Sequence, residues 1–124
     1  MYKRQNYSIE SDIKFGFLKL MDVGALMQEM QPWSNRVLCR VNDSVVRLGV
    51  VQGEFHWHKH DLEDEFFYVL RGCLHIDLEG GESVALKPHQ GYTVPKGVVH
   101  RTRAEECTAM LMVEAATVTP TGDA

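Results

Sequence analysis

From residue 37 onward, apolar residues alternate with polar ones in short runs that are separated by turn-forming residues. Leu74, Ile76 and Leu78 show the alternation most clearly, and turn signals such as Asn42-Asp43 and Gly80-Gly81 lie between runs. Because successive side chains of a strand point to opposite faces, a period of two predicts half-buried strands. Many short strands divided by Gly, Pro and Asx turns predict an all-β sandwich or barrel.

One segment before this region has helical spacing instead. Asp22 is suited to cap a short helix that we predict over residues 22–30, and Pro32 follows its end. Its apolar positions recur three or four residues apart: Val23, Leu26, Met27 and Met30. We divide the chain into an N-terminal extension (1–20), one domain (21–114) and a C-terminal tail (115–124), which we expect to be extended or disordered.

The composition argues against several classes of function. Thirteen basic and seventeen acidic residues give a net charge of −4, and no Lys/Arg cluster marks a nucleic-acid surface. No apolar run approaches the roughly eighteen residues of a membrane span, and the first residues lack the apolar core of a signal peptide. Three scattered cysteines give neither a disulfide framework nor a CxxC metal site. We therefore expect a cytoplasmic protein with reduced thiols that binds neither nucleic acid nor membrane.

Three histidines and one glutamate stand at spacings that suit a metal site. His58 and His60 are two residues apart and would share one face of an extended strand. Glu65 opens the next apolar run, and His100 follows a turn at residues 95–97. Imidazole and carboxylate ligands suit a divalent transition metal, and the spacing does not choose among Zn, Fe, Ni, Mn, Cu and Co. An open site would let a substrate chelate the ion, whereas a closed tetrahedral site would be structural.

His56 has the same parity as this pair and is therefore expected on the same side of the strand. Its role stays open. It is a donor that supports the ligands, an alternative ligand, or a histidine at the rim that bonds to a neighbour.

These residues resemble the two sequence motifs of the cupin superfamily. His58, His60, Glu65 and Gly72 resemble the first motif, and the segment Gly91 to His100 resembles the second. The resemblance extends over residues 20–123 to small single-domain cupins of the mannose-6-phosphate-isomerase-like group. That group shares further segments, which here are Trp33-Ser34-Asn35-Arg36-Val37, Asn42-Asp43, Gly53-Glu54-Phe55-His56-Trp57-His58 and the tail from Glu114 to Asp123.

The resemblance implies a cupin-type double-stranded β-helix, a jelly-roll barrel, with a short N-terminal helix. It also implies that His58, His60, Glu65 and His100 are the four metal ligands. Small cupins often pair, so it favours a homodimer.

We expect an aromatic and methionine wall around the ligands, which favours a modest organic molecule over a highly charged one. The residues predicted to bind such a substrate are Phe55, Trp57, Phe67, Tyr92 and Met112. The leading hypothesis is a metal-binding cupin that binds a small organic molecule at an open site of three histidines and one glutamate, with oxygenation or isomerisation as the expected chemistry. The alternative is a non-catalytic module that binds or senses a small molecule or a metal. Whether the protein is an enzyme stays open.

The run from Ala109 to Val113 is apolar on both faces of its strand. Such a strand is buried on both sides. We expect the face with Met110 and Met112 to meet the core, and the face with Leu111 and Val113 to meet a second subunit across a two-fold interface.

Overall fold

The computed structural model describes residues 7–122, and its regular structure is almost entirely strand. One helix, α1 (Val23–Glu29), lies among these residues. The strands are β1 (Ser8–Glu10), β2 (Ser34–Val41), β3 (Ser44–Glu54), β4 (Glu65–Arg71), β5 (Leu74–Leu78), β6 (Ser83–Leu86), β7 (Gly91–Val94) and β8 (His100–Ala115). The predicted all-β barrel with one short N-terminal helix is therefore confirmed. Residues 1–6 of the predicted extension and residues 123–124 of the predicted tail lie outside the described residues.

The long strand β8 connects the two halves of the barrel. The strands are ordered β1-β2-β3-β8-β4-β7, and β5 pairs with both β6 and the start of β8. The C-terminal half of β8 lies between β3 and β4, and its first residues lie between the end of β3 and β5. The sequence predicts two strands here, over 98–103 and 108–113. The structure has one strand, because no Gly or Pro interrupts residues 100–115. Its pairing with β3 shifts register between Val51 and Gly53, and this shift accommodates residues 105–107, which lie between the two predicted strands.

The helix has the ends that its sequence predicts. The Asp22 side chain accepts a hydrogen bond from the Ala25 N–H at 2.9 Å, which satisfies a backbone donor of the first turn. Met30 is already extended, two residues before Pro32. The apolar positions of the predicted stripe are half-buried, and the positions between them are exposed.

Both ends of the described chain pack against the barrel. β1 pairs in parallel with β2, so part of the predicted extension is an edge strand. The ring of Tyr7 lies 5.5 Å from that of Trp33 and 5.7 Å from that of Phe55, which places it against the core. The tail after Ala115 turns back on the barrel instead of continuing as extended chain, and Val118 is 4% exposed.

Candidate metal centre

Three chain segments meet at the end of the barrel core. His58 and His100 form an isolated antiparallel bridge, in which each backbone N–H donates to the other's carbonyl oxygen at 2.9 Å. The backbone carbonyl of His60 accepts from the Gly97 N–H at 2.8 Å, and this bond joins the two motif loops. Glu65 is the first residue of β4 and points inward. The backbone pairing therefore brings the two motifs together, although residues 55–57 are not regular strand.

The ligand atoms of the predicted set converge around one carboxylate oxygen. One ligand atom each from His58, Glu65 and His100 lie within 4.8 Å of one another. The Oε1 atom of Glu65 is 3.3 Å from His100 Nε2 and 3.5 Å from His60 Nε2. A cluster of three candidate ligands is thus formed, and the fourth predicted ligand, His60, lies beside it. Its role as a ligand stays a prediction.

Backbone carbonyls set the tautomers of two of these imidazoles. Nδ1 of His100 is 2.9 Å from the Val98 carbonyl oxygen, and Nδ1 of His58 is 3.0 Å from that of His56. A carbonyl oxygen only accepts, so each neutral ring carries its proton on Nδ1 and presents the lone pair of Nε2. The lone pair of His100 then faces a carboxylate oxygen of Glu65. Two electron-rich atoms in contact are stabilised by a cation between them, either a proton on Nε2 that is donated to the carboxylate or a metal ion, so the donor set fits a metal ion.

The charges of the cluster also suit metal binding. Burial lowers the pKa of His58 from 6.5 to about 4, so the ring is neutral at neutral pH. Burial by itself would raise the pKa of Glu65, but contacts with His100 and His60 outweigh burial and hold that pKa well below its usual range. A neutral imidazole and an ionised carboxylate are the forms that bind metals.

A second carboxyl group, Glu114, lies directly behind Glu65. Burial, and next the negative charge of Glu65, raise the pKa of Glu114 to about 9. At neutral pH the two carboxyl groups therefore hold one proton between them. Glu114 also lies beside Arg47, with 3.3 Å between Oε2 and Nε.

Sequence reasoning did not select Arg47 or Glu114 for the site. Glu114 has the parity of Met110 and Met112, which predicts an inward side chain at the end of an apolar strand. A charged residue at such a position was the available signal.

The space beside the ligands is small. A cavity of about 20 Å³ adjoins His58 and Glu65, which is room for a single water molecule. Aromatic and aliphatic side chains, methionines among them, form most of its wall, and polar groups form the rest. The lining residues are Tyr7, Trp33, Asn35, Val51, Phe55, His58, Glu65, Phe67, Thr102, Met110, Met112, Glu114 and Pro120.

Of the five residues predicted to bind a substrate, Phe55, Phe67 and Met112 line this cavity. Tyr92 is half-buried and packs against the core cluster without lining the cavity. Trp57 lies elsewhere, in a groove of about 700 Å³ on the outer face, where the Arg101 guanidinium is 5.0 Å from its ring. Substrate binding by these residues stays a prediction.

His56 is oriented by the C-terminal tail. Its Nε2–H donates to the carbonyl oxygen of Thr121 at 2.6 Å. It does not belong to the cluster of His58, Glu65 and His100. This position agrees with the alternative in which His56 supports the metal ligands, and that role of His56 stays a prediction.

Comparison with known proteins adds the family. The cupin domain model matches residues 44–115, which is more than half of the chain. The chain belongs to the cupin family. This cupin is 41% identical over 97 residues to the uncharacterized protein YdbB of Bacillus subtilis (strain 168), and the match covers 77% of the chain and 86% of YdbB.

Solved structures show the same fold. A cupin-2 domain containing protein from Shewanella frigidimarina is 33% identical to this cupin with a TM-score of 0.74, over 77% of this chain and 94% of that one. Protein NMB1881 from Neisseria meningitidis has a TM-score of 0.72 at 19% identity, over 78% and 99% of the two chains. The second likeness is one of fold alone.

In the part of the chain that the structure describes, no helix is long and apolar enough to cross a membrane.

Proposed function

We propose that this cupin binds one divalent transition-metal ion through His58, His60, Glu65 and His100. The observation that carries the proposal is the contact of His100 Nε2 with Glu65 Oε1, since a carbonyl oxygen already takes the Nδ1 proton of His100. Three imidazoles and one carboxylate leave two positions of an octahedral ion for other ligands. Zn, Fe, Ni, Mn, Cu and Co all accept this donor set.

A small organic molecule is the proposed ligand of those open positions. The cavity beside the proposed metal ligands has a mostly apolar wall, and no Lys or Arg is among the described residues that line it. This wall favours an uncharged or weakly charged molecule over a sugar phosphate. Kinship with the mannose-6-phosphate-isomerase-like group is therefore proposed as a classification and not as an activity.

Oxygenation or isomerisation of that molecule is the proposed chemistry. A bound ion would supply Lewis acidity or a site for oxygen. Two protic groups, Tyr7 and Glu114, line the same cavity, and in the proposed reaction they would donate or accept a proton.

The alternative is a non-catalytic module that binds or senses a small molecule or a metal. The small volume of the cavity, about 20 Å³, favours the form of this alternative in which only a metal binds.

Metal analysis tests the proposal. Protein purified without a polyhistidine tag should contain about one equivalent of a transition metal per chain. His100→Ala should lose most of this metal while the barrel stays folded, because the substitution removes a ligand. His75→Ala is the matched control, since His75 lies on β5 with its ring beside the Cys73 thiol and outside the cluster. Full occupancy in His100→Ala would contradict the assignment.

A homodimer and a cytoplasmic location complete the proposal. On the outer face of β8, Leu111 is half-buried and Val113 is 37% exposed, which supports a subunit interface there. The three cysteines are free thiols in the described structure, in agreement with a reducing compartment.

A further inference from the structure

The chain beyond β8 folds over the candidate metal centre. We call residues 116–122 the strap. The Ala116 N–H donates to the Asp43 carbonyl at 2.9 Å, and the Gly122 N–H donates to the Thr119 carbonyl at 2.9 Å. Between these turns Val118 is almost fully buried. The strap is therefore a folded part of the protein with its own anchor.

The last residues of the strap contact the first metal-binding motif. Gly122 lies against the ring of His58, because a Cβ on this glycine would come to 3.0 Å from the Cγ and Cδ2 atoms of that imidazole. Pro120 forms part of the wall of the cavity beside the ligands. Only a residue without a side chain fits between the strap and the imidazole, so the strap covers the centre closely.

His56 joins the strap to a metal ligand. Its ring donates from Nε2 to the Thr121 carbonyl, and its backbone carbonyl accepts from Nδ1 of His58 at 3.0 Å. The orientation of the ligand and the position of the strap are therefore set by the same residue. We therefore expect a displacement of the strap to change the orientation of His58, and a change at His58 to displace the strap.

The closed strap leaves no room for an organic molecule. The cavity of about 20 Å³ holds one water, whereas binding sites for small organic molecules are at least about tenfold larger. Apart from the bonds of its turns, the described hydrogen bonds that join the strap to the rest of the protein are those of Ala116 with Asp43, of His56 with Thr121, and of Thr117 Oγ1 with Glu63 at 2.7 Å. The burial of Val118 and the packing of Pro120 and Gly122 add apolar contacts. Segments held by few contacts open without global unfolding.

We propose that the strap is a gate, and that it must lift before a molecule can reach the metal centre. The proposal rests on the proposed metal site. It adds that the rate of access to His58 and to a bound ion is set by residues 116–122. Gly122 and Thr117 are the residues of the gate, and they contribute no ligand atom.

Gly122→Ala tests the gate, and Gly80→Ala is its matched control. Both glycines have a positive φ, 93° and 103°, so both substitutions add similar backbone strain. Only the methyl group at position 122 meets His58, because a Cβ at position 80 has nothing within 4 Å. In zinc-loaded protein, EDTA should remove zinc about tenfold faster from Gly122→Ala than from wild type, and at the wild-type rate from Gly80→Ala.

A second measurement works without any metal. In metal-free protein, carbethoxylation of His58 by diethyl pyrocarbonate, followed by peptide mass spectrometry, should also be about tenfold faster in Gly122→Ala. If wild type binds no zinc, the proposed function fails and this rate still decides whether the strap is a gate. A wild-type rate of His58 carbethoxylation in Gly122→Ala would overturn the gate, whatever the zinc content.

Thr117→Val examines the other end of the strap without touching the imidazole. Loss of the bond to Glu63 should raise the same carbethoxylation rate by about fivefold. Thr93→Val is the control, since Thr93 is exposed on β7 and away from the strap. Equal rates in Thr117→Val and Thr93→Val would count against a gate that opens as one unit.

Discussion

Nε of Arg47 lies 3.3 Å from Oε2 of Glu114 inside the barrel, where the two side chains are 5% and 1% exposed. Glu114 shares its proton with Glu65, because burial and the charge of Glu65 raise the pKa of Glu114 to about 9. Arg47 therefore faces a carboxyl pair with one net negative charge, and it neutralises a charge that water cannot reach.

Replacing Glu114 and replacing Arg47 should lower the free energy of unfolding by different amounts. Glu114→Gln keeps the shape and hydrogen bonds of a protonated acid, so we expect the free energy of unfolding to fall by less than about 1 kcal/mol. Arg47→Met leaves the buried negative charge without its cation, and we expect a loss of about 3–5 kcal/mol. Urea denaturation at neutral pH measures both values in metal-free protein. Equal losses in the two variants would mean that Glu114 is ionised.

Asp77 gives a prediction for the pH dependence of stability. Its carboxylate accepts from Nε of Arg101 at 2.9 Å and from Nε of Arg103 at 2.8 Å, and Ser83 donates to it at 2.7 Å. Burial alone would raise the pKa of Asp77, but these bonds, the one from Arg103 first, hold it well below the usual range.

A carboxyl group whose pKa is lowered by folding stabilises the folded state above its unfolded pKa, and this contribution disappears as the pH falls toward the folded value. Asp77→Asn should therefore cost about 1–2 kcal/mol of unfolding free energy at neutral pH. The difference from wild type should shrink below about pH 4, where the unfolded carboxyl begins to bind its proton. Denaturant unfolding at several pH values measures this, and a difference that is constant down to about pH 2.5 would contradict it.

Periodicity predicted the local structure of this cupin well. The stripe from Val23 to Met30 is half-buried along α1 and its C-cap, and the alternating residues Leu74, Ile76 and Leu78 lie in β5. Each of these patterns is local, because a strand or helix face is fixed by neighbours in sequence. The two motifs also indicated that His58 and His100 meet, and a backbone bridge joins these two residues.

What the sequence did not predict depends on contacts between distant segments. Trp57 lies in the outer groove beside Arg101 because residues 55–57 are not regular strand, and this position depends on contacts that sequence neighbours do not show. Its role in substrate binding stays a prediction. The Thr-rich tail lacks apolar periodicity, so only the folded barrel shows that Val118 has a place to bury and that Gly122 fits against His58. These contacts join segments that are distant in sequence, so they can be recognised only once the barrel has folded.

The fourth ligand can be tested separately from the other three. His60 lies near Glu65 but outside the cluster of His58, Glu65 and His100. If His60 binds the ion, His60→Ala should weaken zinc affinity by more than the roughly 10–100-fold that loss of an outer support causes. A competition titration with a chromophoric chelator measures the affinity.

The comparison for this experiment is His56→Ala, which removes a support and not a predicted ligand. We expect its zinc affinity to lie between those of wild type and His60→Ala. Zinc affinity in His60→Ala equal to that of wild type would instead define a three-residue site.

The outer face of the central strands gives the last prediction. Leu111 lies opposite Leu48 on β3 and Tyr68 on β4, and Val113 lies opposite Val46 and Phe66. Because directly opposed residues share a face of a sheet, these side chains form one uncharged patch, of which Leu48 is already fully buried within the chain. Leu111 is half-buried and Val113 is partly exposed at its surface. A two-fold axis through such a patch would cover it with its own copy.

We therefore expect wild type to sediment as a dimer at micromolar concentration, and Leu111→Glu to give monomers or aggregates, because a charge would be buried at the interface. Leu62→Glu is the control, since Leu62 is 82% exposed in the loop before Glu65 and lies away from this face. Metal content per chain should be the same in dimer and monomer, because all four proposed ligands belong to one chain. A stable wild-type monomer would refute the dimer, and it would leave the proposed metal site unaffected.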